Sequence, residues 1–365
     1  MTLVNETRPI QTSSNKKPRG QRNLASRALE ALLTQRVVLL AVLIVIVIVV
    51  MSLLDSAGRL SGPYDPDYLA SSLISAVPLV MLGLAELLVI LSGRGGIDLS
   101  VGSIVSLSGI LFGMAYGEWH LSFVASLLVA VISGGIFGAV NGVLVAYIGF
   151  PPLIATLATY YAYRSLALVI SDQKPINSKE IQDFYSAAQS IELPVIGGSL
   201  PLVPLGIFTF LIPTALIVWF LLNKTTFGRR LYALGTNDTA AQWTGINVRP
   251  NRLAVYALSG VIAGLVAVVT VSQFASARPD AGTSGNGMAL PAITIAVLGG
   301  VAITGGIGRV SGIVLATLLI VWLNAGILLA LPGNDGSQFQ LLALGLVLVF
   351  ASLLNGLTKR KYGGI

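Results

Sequence analysis

The run Val37-Val38-Leu39-Leu40-Ala41-Val42-Leu43-Ile44-Val45-Ile46-Val47-Ile48-Val49-Val50-Met51-Ser52-Leu53-Leu54 contains no charge and one hydroxyl. A helix of that length crosses the ~30 Å hydrocarbon layer of a bilayer. The same pattern recurs downstream. Further spans are predicted near 69–92, 99–117, 121–147, 152–170, 204–222, 252–274, 289–303, 310–331 and 339–356, which makes ten; 99–117 is rich in small residues and 289–303 is short. Hydrophobic residues make up 55% of the chain and charged residues 10%, against roughly a quarter charged in soluble proteins. Mean hydropathy is +0.84. A chain this apolar cannot hide its side chains in a water-soluble fold, so the predicted class is an all-α polytopic membrane protein with broken or re-entrant segments.

Around this domain, taken as 37–357, lie two polar ends. Residues 1–36, with Pro9, Pro18, Gly20 and many Ser, Thr and Asn, read as a mostly disordered cytoplasmic tail, and 358–365 as a second one. The net charge of +7 is distributed in the way a bilayer requires. Most of the 22 Lys and Arg residues fall in the first tail, around Arg94, in the loop 223–251, at Arg309 and at Lys359, Arg360 and Lys361, while the alternate links are acidic. By the positive-inside rule both termini are expected in the cytoplasm. The clustering argues against nucleic acid as a partner. No targeting peptide is evident, because the first span is too long for a signal segment and no small-residue cleavage site follows it.

Several chemistries are excluded. The chain has no cysteine and one histidine, His120, so neither a disulfide framework nor a Cys or His metal cluster is available. His120, beside Glu118 and Trp119, reads as interfacial. No GxxxxGK[ST] phosphate loop occurs, so the chain itself is not expected to hydrolyse ATP.

Two links are longer than turns. The segment 171–203 carries four acids and Pro175, Pro194 and Pro201, and suits a short extracytoplasmic helix or cap. The loop 223–251 contains FGRRLYALGTNDTAAQWTGI from Phe227 to Ile246. There Asn237 or Thr236 is a candidate N-cap, Asp238 favours the first turn and Gly245 offers a stop, so a helix of about two turns is predicted. It would be marginal alone. It is read either as a helix lying on the membrane or as a docking helix whose small residues Ala240 and Ala241 admit a close partner. A second segment, Ser92-Gly93-Arg94-Gly95-Gly96-Ile97-Asp98-Leu99-Ser100, breaks one helix with glycines and offers Asp98 as cap of the next. Such breaks are tolerated at membrane depth only where protein or water satisfies the backbone. A third runs from Asn141-Gly142 through GFPPLIATL (149–157) to Arg164, and a fourth is GGVAITGGIG (299–308). The second and fourth share a pattern of apolar run, glycine pair and small-residue helix, which points to an internal duplication.

Taken in order, GGIDLSVGS, NGVLVAYIGFPPLIATL, FGRRLYALGTNDTAAQWTGI and the late GG–TGGIG run resemble the permease family of ribose-, xylose- and autoinducer-type ABC importers over nearly all of the chain beyond residue 36. The resemblance implies a homodimer or pseudo-dimer of permeases in a bacterial inner membrane. It also implies two cytoplasmic ATPase domains, which would bind the ATP and magnesium, and an external solute-binding protein. The family's coupling segment falls on Asn237–Gly245, so Asn237, Asp238, Ala240, Ala241 and Gly245 are the expected coupling residues. The chain departs from the family at Arg94-Gly95, which resembles an insertion, at Glu86, where small or hydroxyl residues are more usual, and at Leu290-Pro291, where an acid is common. These departures bear on the substrate more than on the fold.

Glu86 is the one acid well inside a predicted span, where a charge costs roughly 2.5–3.5 kcal/mol on insertion scales. It is read as paired with Arg94, as a contact on a polar pathway, or as a protonated and satisfied carboxyl. Arg164 is expected to snorkel to the outer interface. Asp98 with Ser100, Asn141, Thr156, Gln273 and Asn324 are polar groups on apolar helices. They either bond between helices or line a route for a hydroxyl-rich solute. The reading is a permease that moves a sugar-like solute inward. An ion-coupled secondary transporter is the alternative, and an intramembrane enzyme lacks a catalytic pair.

Overall fold

The computed structural model describes residues 35–188, 190–191, 202–284 and 287–362, with 190–191 and 354–362 as backbone only. Residues 1–34 of the expected tail 1–36 and the residues Glu192, Pro194 and Pro201 lie outside the described residues, as do the side chains of Lys359 to Lys361. Helix α1 (Arg36–Ser56) carries the long apolar run, and Arg36 opens it rather than closing the tail. Next comes a bent pair, α2 (Pro66–Ser72) and α3 (Ala76–Leu91), with 48° between them. Asp65 caps α2 by accepting the Tyr68 N–H, ahead of a proline whose missing donor costs nothing there. Helix α4 (Val101–Gly113) and helix α5 (Phe123–Val143) each run on into a π turn, at Met114–Glu118 and Leu144–Ile148. Then follow α6 (Pro152–Ile170), the short α7 (Lys179–Ala187) and a two-residue hairpin of β1 (Ser190–Ile191) and β2 (Val203–Pro204). The second half comprises α8 (Ile212–Lys224), two loop helices α9 (Thr226–Thr236) and α10 (Asp238–Trp243), the long α11 (Val248–Phe274), α12 (Ala289–Leu298), α13 (Val310–Ala330) and α14 (Asn334–Tyr362).

Among the described residues eight helices are long and apolar enough to cross a membrane, and the bent α2–α3 pair makes a ninth. The span predicted at 289–303 is corrected. Helix α12 ends at Leu298 after ten residues, a rise of about 15 Å. Gly299 and Gly300, the latter at φ +88°, turn the chain back before α13 begins at Val310. This is a half-span followed by a loop.

Position in the bundle follows from how each helix is coated. Every residue of α3 except Leu79 is buried, as expected of a helix apolar on all sides at the centre of a bundle. Helices α11, α12 and α13 pack around it. By contrast α1, α5, α6 and α8 expose Val45, Ile46, Ile132, Ile136, Ile154, Leu216 and Ile217, an outer coat that only lipid or another apolar partner can cover.

The most extensive contact is between α5 and α11. Ser126, Ala130, Gly134, Gly138 and Gly142 recur every fourth residue on the buried face of α5. They meet Gly260 and Gly264 of α11 so closely that a methyl group at Gly134 or Gly138 would overlap the carbonyl oxygen of Gly260 or Tyr256. Small residues at this spacing let two backbones touch, which is how helices associate when lipid removes the hydrophobic drive between them.

At one end of the bundle α7 fulfils the expected short helix in 171–203. Ser178 caps it, and Phe184 joins Phe112, Tyr116 and Phe123 in an aromatic cluster across the ends of α4 and α5. His120 is exposed, with Nδ1 3.2 Å from the carboxylate of Glu180. Arg164 is exposed on the second half of α6.

Candidate functional site: a buried polar cluster and an exposed loop helix

The glycine-rich break between α3 and α4 makes left-handed turns at Gly93, Arg94 and Gly95 and delivers Asp98 into the interior. The expected helix cap at Asp98 is corrected. Helix α4 starts three residues later, and Asp98 Oδ1 instead accepts the N–H and the hydroxyl of Ser100, at 2.9 and 2.6 Å. The bond closes a turn ahead of the helix and leaves α4 without a side-chain cap.

From Ser100 a chain of hydrogen bonds crosses to other helices. Asn141 Nδ2 on α5 donates to Ser100 Oγ at 2.7 Å, and Thr159 Oγ1 on α6 donates to Asn141 Oδ1 at 2.6 Å. Thr156 Oγ1 donates to the Ile97 carbonyl at 3.2 Å, and Ser259 Oγ on α11 donates to Asp98 Oδ2 at 3.4 Å. Glu86 Oε2 on α3 accepts the Asp98 N–H at 3.3 Å, while Glu86 Oε1 and the nearby Tyr256 hydroxyl have no hydrogen-bond partner among the described residues. All of these side chains are buried, so the cluster is closed in this conformation.

The predicted pairing of Glu86 with Arg94 is corrected. The left-handed backbone at the break turns Arg94 outward, and its Nε lies 3.0 Å from Asp238 Oδ2 on the loop. Among the described residues Glu86 and Asp98 make no salt bridge. Glu86, Asp98, Ser100, Asn141 and Thr156 are thus brought together. Gln273 and Asn324 are not. Gln273 sits at the far end of α11, where it donates to the Ile74 carbonyl at the α2–α3 bend, and Asn324 is half-buried on α13. Thr159, Ser259, Tyr256 and Arg252 were not singled out from the sequence. Thr159 has a signal there, one turn after Thr156 on the same helix face; Ser259 and Tyr256 have none beyond lying on an apolar helix.

The second component is α10. Asn237 Oδ1 accepts the Ala240 N–H at 3.0 Å, so Asn237 rather than Thr236 is the cap, and Gly245 at φ +82° ends the segment. The helix has six residues, close to the two turns predicted. Its alanines divide. Ala240 is exposed, whereas Ala241 is 4% exposed and packs with Leu234, Ile246 and Val248. Trp243 is 87% exposed. A groove of about 390 Å³ lies alongside, lined by Tyr147, Gln242, Arg249 and neighbours. Asp238 faces inward and meets both Arg94 and Arg252.

An apolar bundle with broken helices, a closed hydroxyl- and carboxyl-bearing interior and an aromatic-tipped loop helix has the parts of a solute carrier. Residues 68–352 match the family model described as the permease component of a branched-chain amino acid transport system. The chain belongs to this permease family. The permease is 35% identical over 283 residues to the D-allose transport system permease protein AlsC of Escherichia coli K12, covering 77% of this chain and 81% of the relative. It is 34% identical over 313 residues to the autoinducer 2 import system permease protein LsrD of Klebsiella pneumoniae, covering 83% and 90%. Against the ribose import permease protein RbsC of Escherichia coli K12 it is 32% identical over 265 residues, covering 71% and 77%. No solved structure matches the permease.

Glu86 offers a direct check of the cluster. Glu86→Gln keeps the volume and an oxygen for the Asp98 N–H, so the thermal midpoint in detergent should match or exceed wild type. Glu86→Leu leaves that buried N–H unpaired, at a cost of about 1–3 kcal/mol, and should melt earlier. If Glu86→Leu left insertion, melting and transport unchanged, the residue would be neither structural nor part of a route.

Proposed function

We propose that this permease is the membrane-spanning subunit of an ATP-binding-cassette importer that carries a sugar or sugar-like solute inward. The carrying observation is the closed network of Ser100, Asn141, Thr156, Thr159 and Ser259 around Asp98. Hydroxyls, an amide and carboxyls supply paired donors and acceptors of the kind that exchange readily with a polyhydroxylated neutral solute. The similar permeases named for allose, ribose and autoinducer 2 support that substrate class.

In this reading the end of the bundle that bears α9 and α10 faces the cytoplasm of a bacterium, with the permease in its inner membrane. Residues Asn237, Asp238, Ala240, Ala241 and Gly245 build the coupling segment, with Ala240 and Trp243 as the outward face for an ATPase subunit that holds ATP and magnesium. A second permease subunit and two ATPase domains complete the membrane assembly, and a solute-binding protein delivers solute from outside. The import-system names of the relatives weigh against the ion-coupled alternative.

Tagged permease purified from its own host membranes should bring with it an ATP-binding subunit bearing a GxxxxGK[ST] loop. In vesicles, uptake of labelled pentoses or hexoses should require ATP and survive collapse of the ion gradients by ionophore. Uptake that ran without ATP and stopped with ionophore would replace this reading with the ion-coupled one.

A further inference from the structure

Both loop helices are fastened to the two breaks in the bundle. The Gly306 N–H, in the break after α12, donates to the Leu91 carbonyl at the end of α3, at 3.2 Å. The Tyr232 hydroxyl on α9 donates to the Gly308 carbonyl at 2.8 Å. Gly235, near the end of α9, lies so close to Leu91 and Gly306 that any side chain would overlap their backbones. Two residues past the end of α9, Asp238 is gripped from two sides. Arg94 Nε lies 3.0 Å from Oδ2, and Arg252 Nη2 lies 2.9 and 3.0 Å from Oδ1 and Oδ2. The same Arg252 Nη2 donates to the Ser92 carbonyl at 3.0 Å, within the break that leads to Asp98.

We propose that Asp238 is a positioning residue whose clamp by Arg94 and Arg252 transmits displacement of α10 to the Ser92–Asp98 break and so to the buried polar cluster. The proposal rests on the reading of α10 as the ATPase-docking helix and adds its inward face to it. The outward face, Ala240 and Trp243, takes up contact with the partner. The inward face, Asp238, passes movement on. Arg252, with 2% of its side chain exposed, is the rigid arm of the clamp, and Arg94, with 65% exposed, is the surface arm. A solvated ion pair contributes little to stability, so the exposed arm tests transmission with small risk to folding.

Arg94→Glu and Asp238→Asn would be reconstituted with the ATPase subunit and binding protein that co-purify with wild type, and solute moved per ATP hydrolysed would be measured beside ATPase retention. Both variants should retain the ATPase. Asp238→Asn should lower solute moved per ATP about fivefold or more, the scale of a typical coupling between sites. Arg94→Glu, which sets a carboxylate against Asp238, should lower it by a smaller factor. Asp238→Glu, which keeps the carboxylate, should restore most of the ratio. A ratio unchanged in Arg94→Glu and Asp238→Asn, or uptake and hydrolysis falling in equal proportion, would overturn the clamp. If Asp238→Asn fails to insert, Arg94→Glu alone decides. A wild-type permease that retained no ATPase would overturn the docking reading itself, a result the first measurement separates from failure of the clamp.

Discussion

Ala240→Glu should abolish ATPase capture and uptake while the permease stays in the membrane at wild-type level, whereas Ala241→Glu should deplete the permease itself. The two neighbours differ in what surrounds them. Ala240 is exposed on the outer face of α10, one turn before Trp243. A glutamate there is harmless to the free permease but would be sealed, unpaired, beneath a docked subunit, at a cost of several kcal/mol. Ala241 already packs against Leu234 and Val248. A carboxylate at that position is buried without a partner in the fold itself, and about 3 kcal/mol or more of stability should be lost. Trp243→Ala should behave like Ala240→Glu in milder form, since exposed tryptophans that become buried on association are often worth 2 kcal/mol or more. Membrane abundance by blot, ATPase co-purification and vesicle uptake together separate the cases. Wild-type capture and uptake in Ala240→Glu would show that this face of α10 is not the contact.

Gly138→Leu should prevent stable assembly of the bundle. Its Cβ would overlap the Tyr256 carbonyl and press on Gly260, both backbone of α11, so no rotamer relieves the clash. Displacing α5 would also disturb the bond to Ser100 from Asn141, which lies one turn beyond Gly138 on the same helix. More than about 4 kcal/mol is expected, in the range reserved for changes that break a core contact outright. Gly135→Ala is the comparison. Its Cβ would meet Val261 Cγ2 at 3.0 Å, a side chain that can yield, and the cost should stay near 1 kcal/mol. Melting in detergent measures both, and equal midpoints for the two variants would mean that the α5–α11 contact does not carry the fold.

The fold was legible because hydrocarbon imposes one requirement on every span, and Val37–Leu54 meets it without reference to any neighbour. What failed was local in a different sense. Residues 289–303 are apolar enough to span, but the stop at Gly299-Gly300 shortens the helix to ten residues, and hydropathy does not see a turn. Within the site, Asn141 and Thr156 stand out as polar groups on apolar helices, yet their partners depend on which faces the glycines bring together. Arg94, two turns beyond Glu86 in the sequence, was one candidate partner for it. Three consecutive left-handed residues redirect it to Asp238. The Asp238–Arg252 pair joins residues on either side of a loop whose fold no spacing rule predicts. Ala240 and Ala241 look equivalent in sequence, and only the packing of Leu234 and Val248 tells them apart.

The contact between α5 and α11 also limits which motions are open to the bundle. Two helices whose backbones interlock at every fourth residue cannot creep past each other by fractions of a turn, because each intermediate offset drives a carbonyl into an α-carbon. The nearest alternative register lies four residues away, a slide of about 6 Å. The pair therefore favours travelling as one stiff strut, which leaves the irregular backbone at Ser92–Ser100 and Gly299–Arg309 among the places where the bundle can bend.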